Sequence, residues 1–572
     1  MNARKMVRLM MLLLILPALL LNISCAGEKK ETDAVSAEAE SGGDRAEDSL
    51  SEEETDALLQ VARSTPFGKY PELVRYTLGK MVDPGTVIPD GDDYEVNNYT
   101  LYLRELLNVA NVNVLIEQNP YYDERLGNRI VEDDLPDIFM VQGEEMLRRL
   151  VASDQIEDLT EVYHSCASER IREMYESYGS GLLASASFDG RLMAFPDTEV
   201  HNGQSLLWLR HDWMEDLGLA DPETIEEAME IVRVFQEQNP GNAPDGNVGL
   251  VFSPEIMENP NACFNLQPIL DSFGAFPGKW FVRDGEVVYG TVSEEMRQSL
   301  IYLHELYEEG ILDPNFMLRT TKNLPDLLKD GSSGAFFGWW WAPNDPLMAI
   351  YSPEAAWKPY AFGSQDGTAT TSLMSSSHKY IVARKGFEYP EIIPKVLSAI
   401  YDYARYDGKE EAGLVAEYLM KNVGAAMTPF GINVDYEDAV HRSTLNIRRA
   451  MRGEMTYQDM TVLEQGYYDA VTAYLDDPEH AENWQWAAYA SRIIAPEELD
   501  RYRIRYVNEQ DTYRFASLTD ERLKKIAVAS FIRIIDGEAD ISDFDEFCRS
   551  WEESGGKELM ERAQEILRQD GQ

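Results

Sequence analysis

The order of apolar and polar positions divides the chain into three parts. Residues 9–21 form a continuous apolar run. Residues 26–60 hold few apolar side chains and are crowded with Asp, Glu, Gly, Ser and Ala. From about residue 70, short apolar runs alternate with stretches of helical period. The runs at 73–78, 112–116 and 138–141 predict strands, the last opened by Pro136. Helical spacing predicts helices at 99–109 and 144–150. Further short buried strands are expected at 206–210, 335–337 and 380–383. Thr224, with Glu227 three residues later, is a capping-box pattern and predicts a helix start. Met296, Leu300, Leu303 and Tyr307 share one helical face, which Gly310 ends. The C-terminal part is mostly of helical period, with Leu523, Ile526, Ala527, Phe531 and Ile534 as one stripe. This strand–helix rhythm predicts an α/β fold with helices on the faces of sheets. No repeat of fixed period is present.

The first apolar run follows Arg4, Lys5 and Arg8 and is thirteen residues long. A helix that spans a bilayer needs about 20. The pattern is that of a secretory signal, residues 1–24. Cys25 comes next, after a small residue, and the junction resembles the bacterial lipobox, with Asn22 where Leu is usual. That resemblance implies that Cys25 becomes a lipid-modified N-terminus. The protein would then be held outside the cytoplasm, on the bacterial cell membrane, without a spanning helix. Residues 25–60 read as a disordered acidic tether. The remaining cysteines, Cys166, Cys263 and Cys548, are odd in number and form no Cys-x-x-Cys. Neither a disulfide framework nor a structural zinc site is expected.

Composition narrows the partners. Fifty-one Lys and Arg face 101 Asp and Glu, a net charge of −50. The tether holds twelve acidic and three basic residues, so most of the charge belongs to the folded body. Such a surface excludes nucleic acid and docking of the body on anionic lipid. It favours neutral or amino sugars over uronates, although a local basic pocket could still hold an anion. Hydrophobic residues make up 44% of the chain, enough for a packed core. The length of 572 residues corresponds to two or three lobes, at roughly 100–200 residues per domain.

Several stretches then recur in a fixed order. Leu135-Pro136-Asp137-Ile138 precedes Ile156-Glu157-Asp158-Leu159-Thr160, then Phe188-Asp189-Gly190-Arg191-Leu192 and Ala194-Phe195-Pro196. Next come Leu207 to Trp213 with Leu217-Gly218-Leu219, and Tyr307-Glu308-Glu309-Gly310-Ile311-Leu312-Asp313-Pro314. Ile534-Ile535-Asp536-Gly537, Phe544-Asp545-Glu546-Phe547 and Gly555-Gly556 close the series. Together they resemble the family 1 extracellular solute-binding proteins of ABC sugar importers, and most of all their long lipoprotein branch. The relatives include alginate-oligosaccharide-binding and maltodextrin-binding proteins. The resemblance covers about residues 70–570. It implies a two-lobe periplasmic-binding-protein-like fold of type II, with discontinuous lobes joined by a hinge. Lobe one is expected at 61–195 and 365–430, lobe two at 196–364 and 431–572.

Candidate ligand-binding residues follow from chemistry and from the resemblance. Trp339, Trp340 and Trp341 follow a short strand, and alternation cannot send all three into one core. An exposed indole suits the apolar face of a pyranose. The family carries a stacking Trp at this point, which favours Trp340. A comparable stacking Trp in long-branch relatives points to Trp280, before a hairpin turn. Trp484 and Trp486 would share a face on a strand and diverge by about 200° on a helix. Trp208 and Trp213 read as structural. Gln142 and Glu144 lie at a strand carboxyl end, where open α/β sheets bind ligands. Glu199, His201, Asn202 and Gln204 fall where relatives cross between lobes. Gln267 and Asp271 flank a helix start, Asn344 and Asp345 follow the tryptophans, and Ser375, Ser376 and His378 precede a strand. Relatives also place a calcium loop after the helix ending near Phe235. Here 239–247 offers only Asn239, Asp245 and Asn247, with Gly241 and Ala243 where oxygen side chains are needed. No metal or cofactor is expected.

The function implied is capture of an oligosaccharide by an extracellular monomer, closure of the lobes, and delivery to membrane permease subunits. A ligand sensor for a membrane receptor would have the same sequence features. A glycoside hydrolase needs only two suitably spaced carboxylates, which an acidic chain supplies by chance. No nucleophile elbow, zinc helix or phosphate loop is present, and no enzyme is expected.

Overall fold

The computed structural model describes residues 51–570, apart from 83–85, 87, 199, 201–202, 258–261, 321, 374–378, 408–412, 422, 513 and 516–517. The leader, Cys25 and most of the tether lie outside the described residues. The stretch read as tether ends in a helix, Glu52–Ser64, with three glutamates in its first turn. Carboxylates there favour the helix dipole, and Ala62 gives the helix a buried contact.

The first lobe is built on a five-stranded sheet. Its order is Val109–Glu117, Val74–Met81, Ile138–Gln142, Lys379–Ala383, Phe195–Pro196. The first three run parallel, and Lys379–Ala383 runs antiparallel to both its neighbours. Ile138 to Val141 are all buried, as strands covered on both faces must be. The strand expected at 73–78 continues to Met81 past an irregularity between Leu78 and Gly79. Glycine fits there because a Cβ would sit 3.0 Å from that of Phe139. The helix expected at 99–109 stops at Leu107, because Asn108 turns left-handed (φ 60°) and releases Val109 into the next strand.

The second lobe holds a three-stranded antiparallel sheet, Ala335–Gly338, Leu206–Arg210 and Trp357–Tyr360, with Leu206–Arg210 central. The C-terminal helices complete its core. Glu521–Ile535 packs on Glu294–Glu308, where His304 Nδ1 lies 3.1 Å from the Ile535 carbonyl oxygen. The helix at Thr224 runs Ile225–Gln238, and Thr224 accepts from the Glu227 amide at 3.2 Å. Glu227 accepts from the amide of Glu223, not of Thr224, so the box closes one residue early.

The main core clusters divide along these sheets. One draws on residues between Ala62 and Phe195, between Tyr380 and Tyr436, and on Val462. Two others draw on residues from Leu206 to Phe362 and on the C-terminal part. The chain crosses from one group to the other after Pro196, between Phe362 and Lys379, and after Tyr436. The first and third crossings are stitched together. Thr198 donates its amide to the Asn433 carbonyl at 3.0 Å, and Asp197 accepts from the Asn433 amide at 2.7 Å. The second pairs Thr368–Thr371 with Arg503–Tyr506 as a parallel ribbon. Between the lobes, Val462–Asp476 packs against Gly413–Met420 of the first lobe's core. Gly466 makes that crossing possible, since a Cβ there would lie 2.1 Å from the Met420 carbonyl oxygen.

Candidate functional site

The sheet topology brings two strand edges to the crossings. In the first lobe the three parallel strands end at Met81, Glu117 and Gln142, and Lys379 is paired with Gln142. Pro196, before the first crossing, pairs with Tyr380 at the same edge. In the second lobe, Gly338 pairs with Leu206 and Tyr360 with Leu207. The ends of these strands therefore collect where the chain arrives from the first lobe.

The three tryptophans stand at this second edge, on a turn rather than on a strand. The strand stops at Gly338, and the Ala342 amide closes back on the Trp339 carbonyl at 2.8 Å. Trp339 is buried and its Nε1 has no hydrogen-bond partner. Trp340 and Trp341 are half-buried. Asn344 Oδ1 is also buried without a partner. Asp345 is exposed as a residue, yet neighbouring apolar atoms desolvate its carboxyl and hold it above the usual range.

A helix, Asn483–Tyr489, packs on this turn. Trp484 and Trp486 therefore diverge. Trp486 is buried and stacks on Tyr351 (centroids 4.8 Å apart), in one apolar cluster with Trp340 and Trp341. Trp484 is half-buried against Tyr467, centroids 5.0 Å apart. Sequence reasoning missed Arg492, in the helical turn that follows. Its guanidinium carbon lies 4.8 Å from the Trp340 ring centroid and 3.9 Å from that of Tyr467. A single arginine in a helical stretch carries no signal that separates it from a solvated one.

Trp280 is spent on packing. It begins a hairpin strand, Trp280–Arg283, stacks on Tyr289 at 4.4 Å and donates Nε1 to the Leu518 carbonyl at 3.0 Å. Only 6% of it is exposed, which leaves no ring face for a sugar. Trp208 is fully buried and Trp213 packs edge-on against Phe235.

Gln142 is exposed at its strand end, where Oε1 accepts a short hydrogen bond from Asn119. Glu144 opens the next helix and pairs with Arg148 at 2.9 Å. Gln267 donates to Thr371 Oγ1 at 2.8 Å, while its Oε1 is buried without a partner. Burial pushes the Asp271 carboxyl well above the usual carboxylate range, against hydrogen bonds from Thr371 and Gln267. Glu199, His201, Asn202, Ser375, Ser376 and His378 lie outside the described residues.

A cavity of about 740 Å³ is lined by residues that include Gln204, Asp271, Phe276, Phe362, Thr370 and Arg505. It belongs to the second lobe and the ribbon of the second crossing. None of the tryptophans and no strand of the first sheet lines it.

In the 239–247 stretch the asparagine side chains bond within their own loop. Asn239 Oδ1 accepts from the Ala243 amide and Asn247 Oδ1 from the Gly249 amide, so both oxygens serve the loop itself. Among the described residues no group of three or more His, Cys, Asp or Glu could hold a metal ion.

No protein-family model matches the chain. In sequence it is similar to lipoprotein LipO of Bacillus subtilis, 22% identical over 363 residues, 62% of this chain and 66% of that protein. It is also similar to the polygalacturonan/rhamnogalacturonan-binding protein YtcQ of the same organism, 19% identical over 402 residues, 67% and 71% of the two chains. The chain thus spans about two thirds of the length of these curated relatives. Among solved structures it resembles an HMO-binding, ABC-transporter-associated solute-binding protein from Bifidobacterium longum infantis. That match has a TM-score of 0.59 at 13% identity and covers 86% of this chain and 98% of the other. In sequence and in fold, the chain is similar to substrate- and solute-binding proteins of ABC transporters, and it has their two-lobe fold.

Proposed function

We propose that this protein captures an oligosaccharide between its lobes outside the membrane and delivers it to an ABC permease. The observation that carries this reading is the turn Trp339-Trp340-Trp341. It puts two half-buried indoles at the edge of the second lobe where the chain enters from the first. An indole face offers a flat apolar platform to a sugar ring, and polar groups around it set orientation. Gln142 and Glu144 stand at the carboxyl edge of the opposite sheet, on the side of the crossings. Closure by hinge motion at the three crossings would bring both edges onto one ligand. No catalytic group is needed for this task. The names of the relatives, a lipoprotein and a polygalacturonan/rhamnogalacturonan-binding protein, support the anchoring and a saccharide ligand. Lipid on Cys25 would hold the monomer at the membrane surface while the acidic tether gives it reach.

A thermal-shift screen against neutral and acidic oligosaccharides, followed by chromatography of the mixtures, tests this reading. At least one oligosaccharide should raise the melting temperature and be recovered intact. Turnover of that sugar, or no shift with any of them, would contradict it.

A further inference from the structure

Capture of a sugar at the tryptophan turn leaves the cavity of the second lobe without a use. Its volume of about 740 Å³ is within the range of sites that hold drug-sized ligands. Its walls have two sources. One is the body of the lobe, with the start of the helix Ile225–Gln238 and the helix Gln267–Ser272. The other is the ribbon of the second crossing, with Thr368, Thr370 and Arg505. Two arginines line the cavity. Arg283 is paired with Glu295 at 2.6 Å, and both residues belong to the wall. Arg505 donates Nε to Thr370 Oγ1 at 3.2 Å, and among the described residues no carboxylate pairs with it. Glu226, exposed in the first turn of its helix, likewise has no basic partner among them. The third carboxyl, Asp271, is bonded by Thr371 and Gln267, and burial holds it well above the usual carboxylate range, so it serves as a neutral group. Pro268, Phe276, Phe281 and Phe362 supply apolar lining. The three phenylalanines are 5, 2 and 8% exposed, too little for a sugar ring to stack on.

We infer that this cavity is a second ligand site and that it takes a short zwitterionic peptide, with the carboxylate on Arg505, the ammonium on Glu226 and apolar side chains against the phenylalanines. A guanidinium fork is the matching donor for a carboxylate, and a carboxylate is a charged acceptor for an ammonium. A ligand with one charge of each sign is neutral overall. The net charge of −50 therefore does not repel it at long range, as it would an anion. None of the tryptophans lines the cavity, so this site does not rest on the oligosaccharide reading.

Calorimetric titration with the tripeptide Ala-Phe-Ala, beside its N-acetylated and its C-amidated form, tests the assignment. Each cap keeps the side chains and removes one charge. The free tripeptide should bind about tenfold tighter than either capped form. Arg505→Gln should abolish the preference for the free acid over the amide and keep the preference for the free amine. Glu226→Gln should do the reverse. Both residues are exposed, so neither change should disturb folding. No binding of the free tripeptide, capped forms that bind equally well, or a variant that weakens all three forms alike would overturn the inference. Should either variant fail to fold, the order of the three peptides on the unmodified protein still decides. A melting-temperature shift with an oligosaccharide and no binding of the tripeptide would remove this site and leave capture standing. Tripeptide binding with no shift from any oligosaccharide would remove capture alone.

Discussion

Trp280 and Trp340 separate two uses of one residue type. Both lie beside short strands in the sequence, and both suit a sugar platform on chemistry alone. Trp280 turns inward because its Nε1 finds the Leu518 carbonyl from 238 residues away and Tyr289 covers its face. That partner is not visible locally. Trp340 stays half-buried because the strand has already ended at Gly338. Strand alternation would turn at least one of the three indoles away from the core, but a turn stands there in place of a strand. The two residues should therefore respond differently. Trp280→Ala should cost about 3–5 kcal/mol of stability in denaturant unfolding and leave the affinity of the folded protein unchanged. A loss of affinity with unchanged stability would contradict its packing role. Arg492 was illegible for a related reason: its burial comes from Trp340 and Tyr467, which lie 152 and 25 positions away.

Elements of strong period could be read directly. The apolar run at 138–141 is a central strand, and Met296, Leu300 and Leu303 are the buried face of one helix. The cap at Thr224 was readable because it depends on neighbours within four residues. Thr224→Ala should lower stability by about 1 kcal/mol, measured by urea unfolding; no change would mean that water satisfies the Glu227 amide equally well. Pairings over long separations were not readable. Lys379–Ala383 inserts antiparallel between Ile138–Gln142 and Phe195–Pro196, and no local pattern specifies that. The close crossing at Gly466 belongs to the same class. Gly466→Ala would press a methyl against the Met420 backbone and should cost about 1–3 kcal/mol. A neutral effect in thermal unfolding would mean that the two helices are free to separate.

At the scale of the whole molecule, the strand–helix rhythm was enough for an α/β fold, and the order of weak motifs for a two-lobe one. The helices between Asp438 and Leu499 are expected in lobe two, yet they pack toward both lobes, with Val462 in the first lobe's core. They also carry Trp486 and Arg492 to the tryptophan turn. The net charge of −50 disfavours polyanionic surfaces as docking partners at long range. All of these scales meet at Trp340. Titrating the best oligosaccharide from the screen into the unmodified protein and into Trp340→Ala, with heat as the readout, tests the account most directly. The unmodified protein should give a saturable one-to-one isotherm, and the variant, folded and equally stable, should give no binding heat. An unchanged isotherm for Trp340→Ala would contradict the account.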